Sequence, residues 1–412
     1  MNHHELILLF LQFGVMLLTA IIFGQIMRRL NQPAVLGELL GGILLGPTIF
    51  GAIAPAGFGW LFPVDAALSL ARESVISVGM LFFLFVAGLE VKLAHLNRNK
   101  RQVILTSLTG CLIPMGLGIL SVRLFPGVWG PEAARAGWFF PLFVGMALSI
   151  SALPVIARIL MDLKLMDSRL GAVIMTAATI DDVIGWTMFA AILSVSMASG
   201  EGQNLWLNLG LLVGMAVTII GLGRWLGRPA LHWIKAHLSW PSSFISLTTV
   251  LVLAAAAMTE ALGIHAVFGA YLVGIALGQS LEPEEESEAH EVIYHFALSF
   301  FAPLYFVSIG LRANFAANFD WPLVLLVLLV ASLGKIGGAS LGAWWGGMPR
   351  REALAVGFGM NARGAMEIIL ATVALESGLI DQRIYVALVV MALVTSMIGG
   401  PAMQRLMRGS ER

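Results

Sequence analysis

Apolar runs of about 20 residues, the length a helix needs to cross a bilayer, recur along nearly the whole chain. That pattern excludes most of what 412 residues can otherwise become. Hydrophobic residues make up 58% of the chain and charged residues 12%, against about 25% charged in soluble domains. A single soluble domain has too little interior to hide so much apolar surface, so lipid is the expected solvent. Thirteen runs read as helices, over residues 6–27, 33–50, 68–90, 103–125, 137–160, 169–198, 205–231, 243–260, 263–280, 293–311, 322–346, 352–376 and 384–407. The expected fold is an all-α polytopic membrane protein with thirteen transmembrane helices. The opening residues, Met1 to Glu5, put no basic region ahead of the first run. That run is therefore expected to be a retained helix rather than a cleaved signal.

An odd number of crossings places the termini on opposite sides, and the basic residues orient them. Of 24 Lys and Arg, seventeen fall in one set of alternate connections, including Arg28, Arg29, Lys92, Arg98, Lys100 and Arg101. Five fall in the other set: Arg72, Arg123, Arg135, Arg312 and Arg383. Lys335 and Arg363 remain inside the spans. The positive-inside rule then expects the N-terminus outside and the C-terminus in the cytoplasm. An acidic stretch, Glu282 to Glu291, falls on the cytoplasmic side. It reads as a solvated loop, or more sharply as a negative funnel gathering cations near an entrance. Zero formal net charge argues against nucleic acid as a partner. The lone cysteine, Cys111, reads as a small core residue.

The chain repeats itself. Val35 to Gly46 (VLGELLGGILLG) matches Val267 to Gly278 (VFGAYLVGIALG) at seven positions in register. Phe82 to Val91 (FFLFVAGLEV) resembles Leu304 to Ala313 (LYFVSIGLRA), each an aromatic-rich run closed by Gly-Leu and a charge. These matches pair the second helix with the ninth and the third with the tenth. Seven crossings reverse direction, so the halves are expected to be inverted six-helix repeats, over 6–198 and 243–407. The seventh helix, 205–231, links them within one integral membrane domain covering 1–412. Inverted repeats are a mark of secondary transporters with a midplane site. The same pairing matches two interrupted segments. The fifth helix holds Ser149, Ser151 and Pro154, and the twelfth holds Asn361, Arg363 and Gly364 within an apolar run. Pro removes an amide donor and Gly weakens a helix. Broken helices at equivalent places point to the transport site, where half-helix ends expose partial charges. Arg363 and Glu367, four residues apart, are placed to pair or to offset those dipoles.

Asp181 and Asp182 stand side by side in the sixth helix, in a run otherwise apolar enough to cross the bilayer. One carboxylate at that depth costs about 2.5–3.5 kcal/mol on insertion scales, so the pair is expected to bind something positive. Lys335, in the eleventh helix among small residues, has one of these aspartates as its expected partner. Neighbours on a helix differ by about 100° in direction, so the other aspartate is free to face an aqueous cavity. Hard carboxylate oxygens suit Na⁺ or K⁺, and no His/Cys cluster suggests a transition metal. A carboxylate that gains a proton releases its cation, so the two ions compete, and no cofactor is expected. Glu38, Glu73 and Glu260 read as interfacial or bundle-facing structural acids.

These residues resemble the cation:proton antiporter-2 family of bacterial Na⁺(K⁺)/H⁺ exchangers over nearly the whole chain. The matching elements are Arg29 to Pro47, FVAGLE ending at Glu90, TIDDVIGW ending at Trp186, Gly334-Lys335, and GMNARGAMEIIL ending at Leu370. The resemblance implies a core domain with crossed, interrupted helices 5 and 12 that moves against a dimerisation domain, in a homodimer embedded in lipid. It implies that Asp182 is the main ion ligand, that Asp181 pairs with Lys335, and that Ser151 lies at the helix-5 break near the ion. Paired acids are similar to electrogenic Na⁺ exchangers, whereas NARGAME is similar to relatives that handle K⁺. The chain ends shortly after the thirteenth helix, and no soluble regulatory domain like that of glutathione-gated relatives is expected. Two other readings compete with exchange. A cation channel needs a continuous pore, which suits inverted repeats and broken helices less well. An intramembrane aspartyl hydrolase needs facing carboxyls from separate elements, whereas neighbours on one turn present different faces.

Overall fold

The computed structural model describes residues 3–30, 32–89, 100–131, 133, 137–166, 168–197, 205–239, 242–262, 265–278 and 294–408. The acidic stretch Glu282 to Glu291 lies outside these residues, as do Glu90, Lys92, Arg98, Arg135 and Arg412. The described residues are helical with no strand. The longer helices, in chain order, are α1 (His3–Arg29), α2 (Ala34–Leu45), α3 (Ala66–Leu89), α4 (Lys100–Leu124) and α5 (Phe139–Ala147). They continue with α6 (Leu153–Asp162), α7 (Arg169–Met197), α8 (Leu205–His237), α9 (Ser242–Ala261) and α10 (Val267–Gly278). The last are α11 (Ala302–Arg312), α12 (Trp321–Trp345), α13 (Arg350–Met360), α14 (Ala365–Glu376) and α15 (Gln382–Arg408).

Nine helical stretches among the described residues are long and apolar enough to cross a membrane. Three of the thirteen expected runs miss that measure for physical reasons. The fifth is split into α5 and α6, and the twelfth into α13 and α14. The ninth, α10, has 12 residues. The seventh falls within the 33 residues of α8. Helix starts follow local chemistry. Asp320 accepts from the Leu323 amide at 3.2 Å ahead of α12, and Asp381 accepts from Ile384 at 2.8 Å in the first turn of α15. Each carboxylate satisfies an amide that the helix leaves open.

The chain divides into two compact units, each drawing on both sides of α8. The first comprises Met1–Lys92 and Met197–Phe315. Within it α2 packs on α1 and α11, and α3 packs on α10. The repeated motifs thus meet crosswise: the second segment lies against the tenth and the third against the ninth. A Cβ at Gly42 would sit 2.3 Å from the Val307 carbonyl oxygen, so only glycine allows this backbone approach. Arg312 pairs with Glu73 at 2.5 Å, and Glu260 accepts from the Ala266 amide at 2.8 Å just before α10. Glu38 is buried with its carboxylate beside Gly24 of α1.

The second unit comprises Leu93–Ser196 and Ala316–Arg412. Here α4 packs along α12, α5 against α4, and α13 against α12 and α15. A core of Ile156, Ile174, Ala177, Val356 and Met360 joins α6, α7 and α13. Arg383 ties the starts of α12 and α15 together through Asp320 at 2.7 Å and also donates to the Trp129 carbonyl at 2.9 Å.

Candidate cation-binding site

The two broken segments belong to the second unit, and their breaks meet. After α5 ends, Leu148 to Ala152 run non-helically until Pro154 sits in the first turn of α6, where its missing amide removes no helical bond. After α13 ends, Asn361 to Gly364 run non-helically into α14. The Ala152 amide donates to the Ala362 carbonyl at 3.0 Å, and the Ser151 hydroxyl donates to the Met360 carbonyl at 2.8 Å. Two of the groups that the breaks expose therefore satisfy each other across the gap.

Cations from other segments satisfy the carbonyls at the end of α5. The Arg363 guanidinium donates to Ala147 O at 3.0 Å and also to Leu148 O. It pairs with Glu367 one turn further along its own segment. A cation at this place offsets the negative end of α5, and the carboxylate in the first turn of α14 offsets its positive end. The Ser396 hydroxyl of α15 donates to the Arg363 carbonyl.

Lys335 supplies the next contact. Its ammonium has three donors, and they go to Asp181 Oδ2 at 2.6 Å, Gly110 O at 3.0 Å and Ser149 O. The other oxygen of Asp181 accepts from the Ser107 hydroxyl of α4 at 2.7 Å. A buried pair survives only when its remaining hydrogen-bonding capacity is filled, as here. Exposure is 0% for Lys335 and Arg363, 1% for Asp181, 3% for Asp182 and 4% for Glu367. Asp182 follows Asp181 on α7, less than one turn before Gly185. A Cβ at Gly185 would lie 2.5 Å from Ile150 Cγ1, so this face of α7 touches the break in the fifth segment directly.

The structure thus gathers Asp181, Lys335, Ser151, Asn361, Arg363 and Glu367 around one pair of helix breaks, with Pro154 opening α6 beside them. Asn361 is buried and its Oδ1 has no hydrogen-bond partner. Sequence reasoning passed over Ser107, Ser396 and the Gly110 carbonyl. A hydroxyl at 107, inside an apolar span and next to buried Thr106, was a usable signal; a backbone carbonyl gives none. Among the described residues the buried charged side chains of this unit are Asp181, Asp182 and Glu367 against Lys335 and Arg363. Counted formally, the carboxylates outnumber the cations by one.

Residues 14–409 match the family model described as sodium/hydrogen exchanger, transmembrane. Cation/H⁺ antiporter 18 of Arabidopsis thaliana is 32% identical over 98% of this chain and 49% of its own length. The chain therefore spans about half of that plant relative. Na⁺/H⁺ antiporter NhaS4 of Synechocystis sp. is 30% identical over 98% of both chains. The sodium/proton antiporter MjNhaP1 of Methanocaldococcus jannaschii has the same fold, with a TM-score of 0.71 at 18% identity over 98% of both chains. With its apolar helices and buried carboxylates, this chain belongs to the sodium/hydrogen exchanger family of multi-pass membrane antiporters.

Proposed function

We propose that the chain is a secondary antiporter, not an enzyme, exchanging a monovalent cation for protons across a bacterial cytoplasmic membrane. Na⁺ is the first candidate and K⁺ the second. The observation carrying this reading is the cluster of three buried carboxylates and two buried cations beside the helix breaks. Lys335 has committed all three donors, one of them to Asp181, and Arg363 pairs with Glu367. In this reading Asp182, buried next to Asp181 on α7, has the role that the family resemblance implies, ion ligand, assisted by Ser151 at the break. A proton and a cation each neutralise that carboxylate, so occupancy by one excludes the other.

Alternating access converts this competition into exchange. Thirteen spans, arranged as inverted six-helix repeats around a linker helix, supply the symmetry such a cycle needs. The crosswise packing of α2 on α11 and α3 on α10 supports that arrangement. In this reading the breaks of helices 5 and 12 cross, the unit holding them carries the ion, the N-terminus lies outside, and the protein works as a homodimer. The names of the relatives support the substrate class: NhaS4 is named a Na⁺/H⁺ antiporter.

The test is proton release from purified protein in liposomes on addition of Na⁺, K⁺ or Li⁺, followed with a pH-sensitive dye. Saturable proton movement that requires the cation is expected. Cation flux without proton movement would make the protein a channel and overturn the reading.

A further inference from the structure

An apolar hollow of about 480 Å³ lies between α8, α9 and α10, within the range of about 300–1,000 Å³ usual for ligand sites. It is confined to the first unit and shares no residue with the candidate ion site. Its floor is α10, where Val273, Ala276 and Leu277 are buried. Its walls are exposed side chains, Leu222 and Leu226 of α8 and Leu251 and Met258 of α9. Thr248 is the one lining side chain with an oxygen or nitrogen. Hydrocarbon, not water or an ion, suits such a lining.

Size and charge narrow the occupant further. The lining on α8 runs from Ile219 to Ile234, about 22 Å at the helical rise, longer than the roughly 15 Å of one leaflet's hydrocarbon. A lipid acyl chain, apolar along its length and charged only at its headgroup end, matches a lining of this kind. The two ends differ in charge. Ile234 and Phe244 line the hollow where α8 turns into α9, and His232, Lys235 and His237 are exposed around that turn. The Ser239 and Ser243 hydroxyls hydrogen-bond there at 3.1 Å, and Trp233 stacks on His237 with ring centroids 5.2 Å apart, the amphipathic aromatic expected at a lipid headgroup level. Toward the other end, past Met258, comes acidic Glu260.

We propose that this hollow binds one acyl chain of an anionic glycerophospholipid, with the headgroup phosphate at Lys235 and the serine turn. The site goes beyond the exchange reading and stands independently of it. The test uses full-length protein stripped of lipid in detergent, then given phosphatidylglycerol or phosphatidylcholine. Phosphatidylglycerol is expected to raise the melting temperature by a few degrees, as any ligand of the folded state does, and one molecule per chain should survive in native mass spectrometry. Lys235→Ala should weaken its binding about fivefold, the contribution of one basic residue near an anionic lipid. Ala254→Phe, which fills the hollow from an exposed lining position, should abolish binding while the melting temperature without added lipid stays near that of the unaltered protein. Equal stabilisation by phosphatidylcholine overturns the proposal. So does an Ala254→Phe protein that keeps the lipid but dissociates into monomers, since the hollow would then be a contact between copies.

Discussion

The two compact units are built from the same kind of helix in the same kind of sequence, yet they treat buried charge in opposite ways. Among the described residues the second unit buries Asp181, Asp182, Lys335, Arg363 and Glu367, whereas the first buries Glu38 alone. In lipid, apolar side chains gain nothing by leaving one hydrocarbon surface for another, so helices associate through close backbone contact and polar bonds. Both units use close contact, as at Gly42 in the first and at Gly338 against Thr109 in the second. The second adds bonds from buried ionised side chains to carbonyls and carboxylates, a costly arrangement. Under the proposed function, the ion chemistry belongs to the unit that buries these charges.

The strongest way to break this comparison is Asp182→Asn set beside Glu38→Gln. Cation-driven proton flux in liposomes should fall at least about 100-fold in the first, equivalent to about 2.7 kcal/mol, and stay within about twofold in the second. Equal losses would erase the difference between the units. Lys335→Ala comes next. It leaves Asp181 buried without its counter-charge and should cost about 3–5 kcal/mol of stability, read as a lower melting temperature in detergent. Adding Asp181→Asn to that variant should restore part of the loss, and a double variant as unstable as the single would show that no charge pairing is involved. Ser107→Ala removes one hydrogen bond to a charged group and should cost about 1.5–3 kcal/mol, detectable in the same melts. Gly42→Ala forces a methyl against the Val307 carbonyl and should cost about 1–3 kcal/mol. Being in the first unit, it should leave the cation concentration for half-maximal flux unchanged, and a shifted half-maximum would sharpen the comparison into a coupling between units.

Much of the fold was legible because lipid reduces the folding code to length and polarity. The run read as 169–198 is the helix Arg169–Met197, and the run read as 322–346 is Trp321–Trp345. The interruptions were legible for the same reason, since Pro154 and the Asn361-Ala-Arg-Gly stretch have no other place in apolar helices. The boundaries of the two units were not, although the family resemblance implied two domains. Each unit takes helices from both ends of the chain, and no composition change marks where one gives way to the other. In the site, the residues alone left two adjacent aspartates as equal candidates for Lys335, because residue type does not say which way a side chain turns. The remaining partners of that lysine are peptide carbonyls of Gly110 and Ser149, and every residue carries one.

The seam between the two breaks relies on peptide groups throughout: the Ala152 amide meets the Ala362 carbonyl, and the Ser151 and Arg363 side chains donate to the Met360 and Leu148 carbonyls. A stitch of this kind asks for no particular side-chain chemistry at 152 and 362, proline at 152 excepted, since proline has no amide to give, although burial keeps both residues small. Neighbouring side chains can therefore change without breaking the amide–carbonyl bond between the half-helices. If the gap holds the ion as proposed, substitution there can retune ion preference while the scaffold stays whole, which suits relatives named for Na⁺/H⁺ and for K⁺/H⁺ exchange.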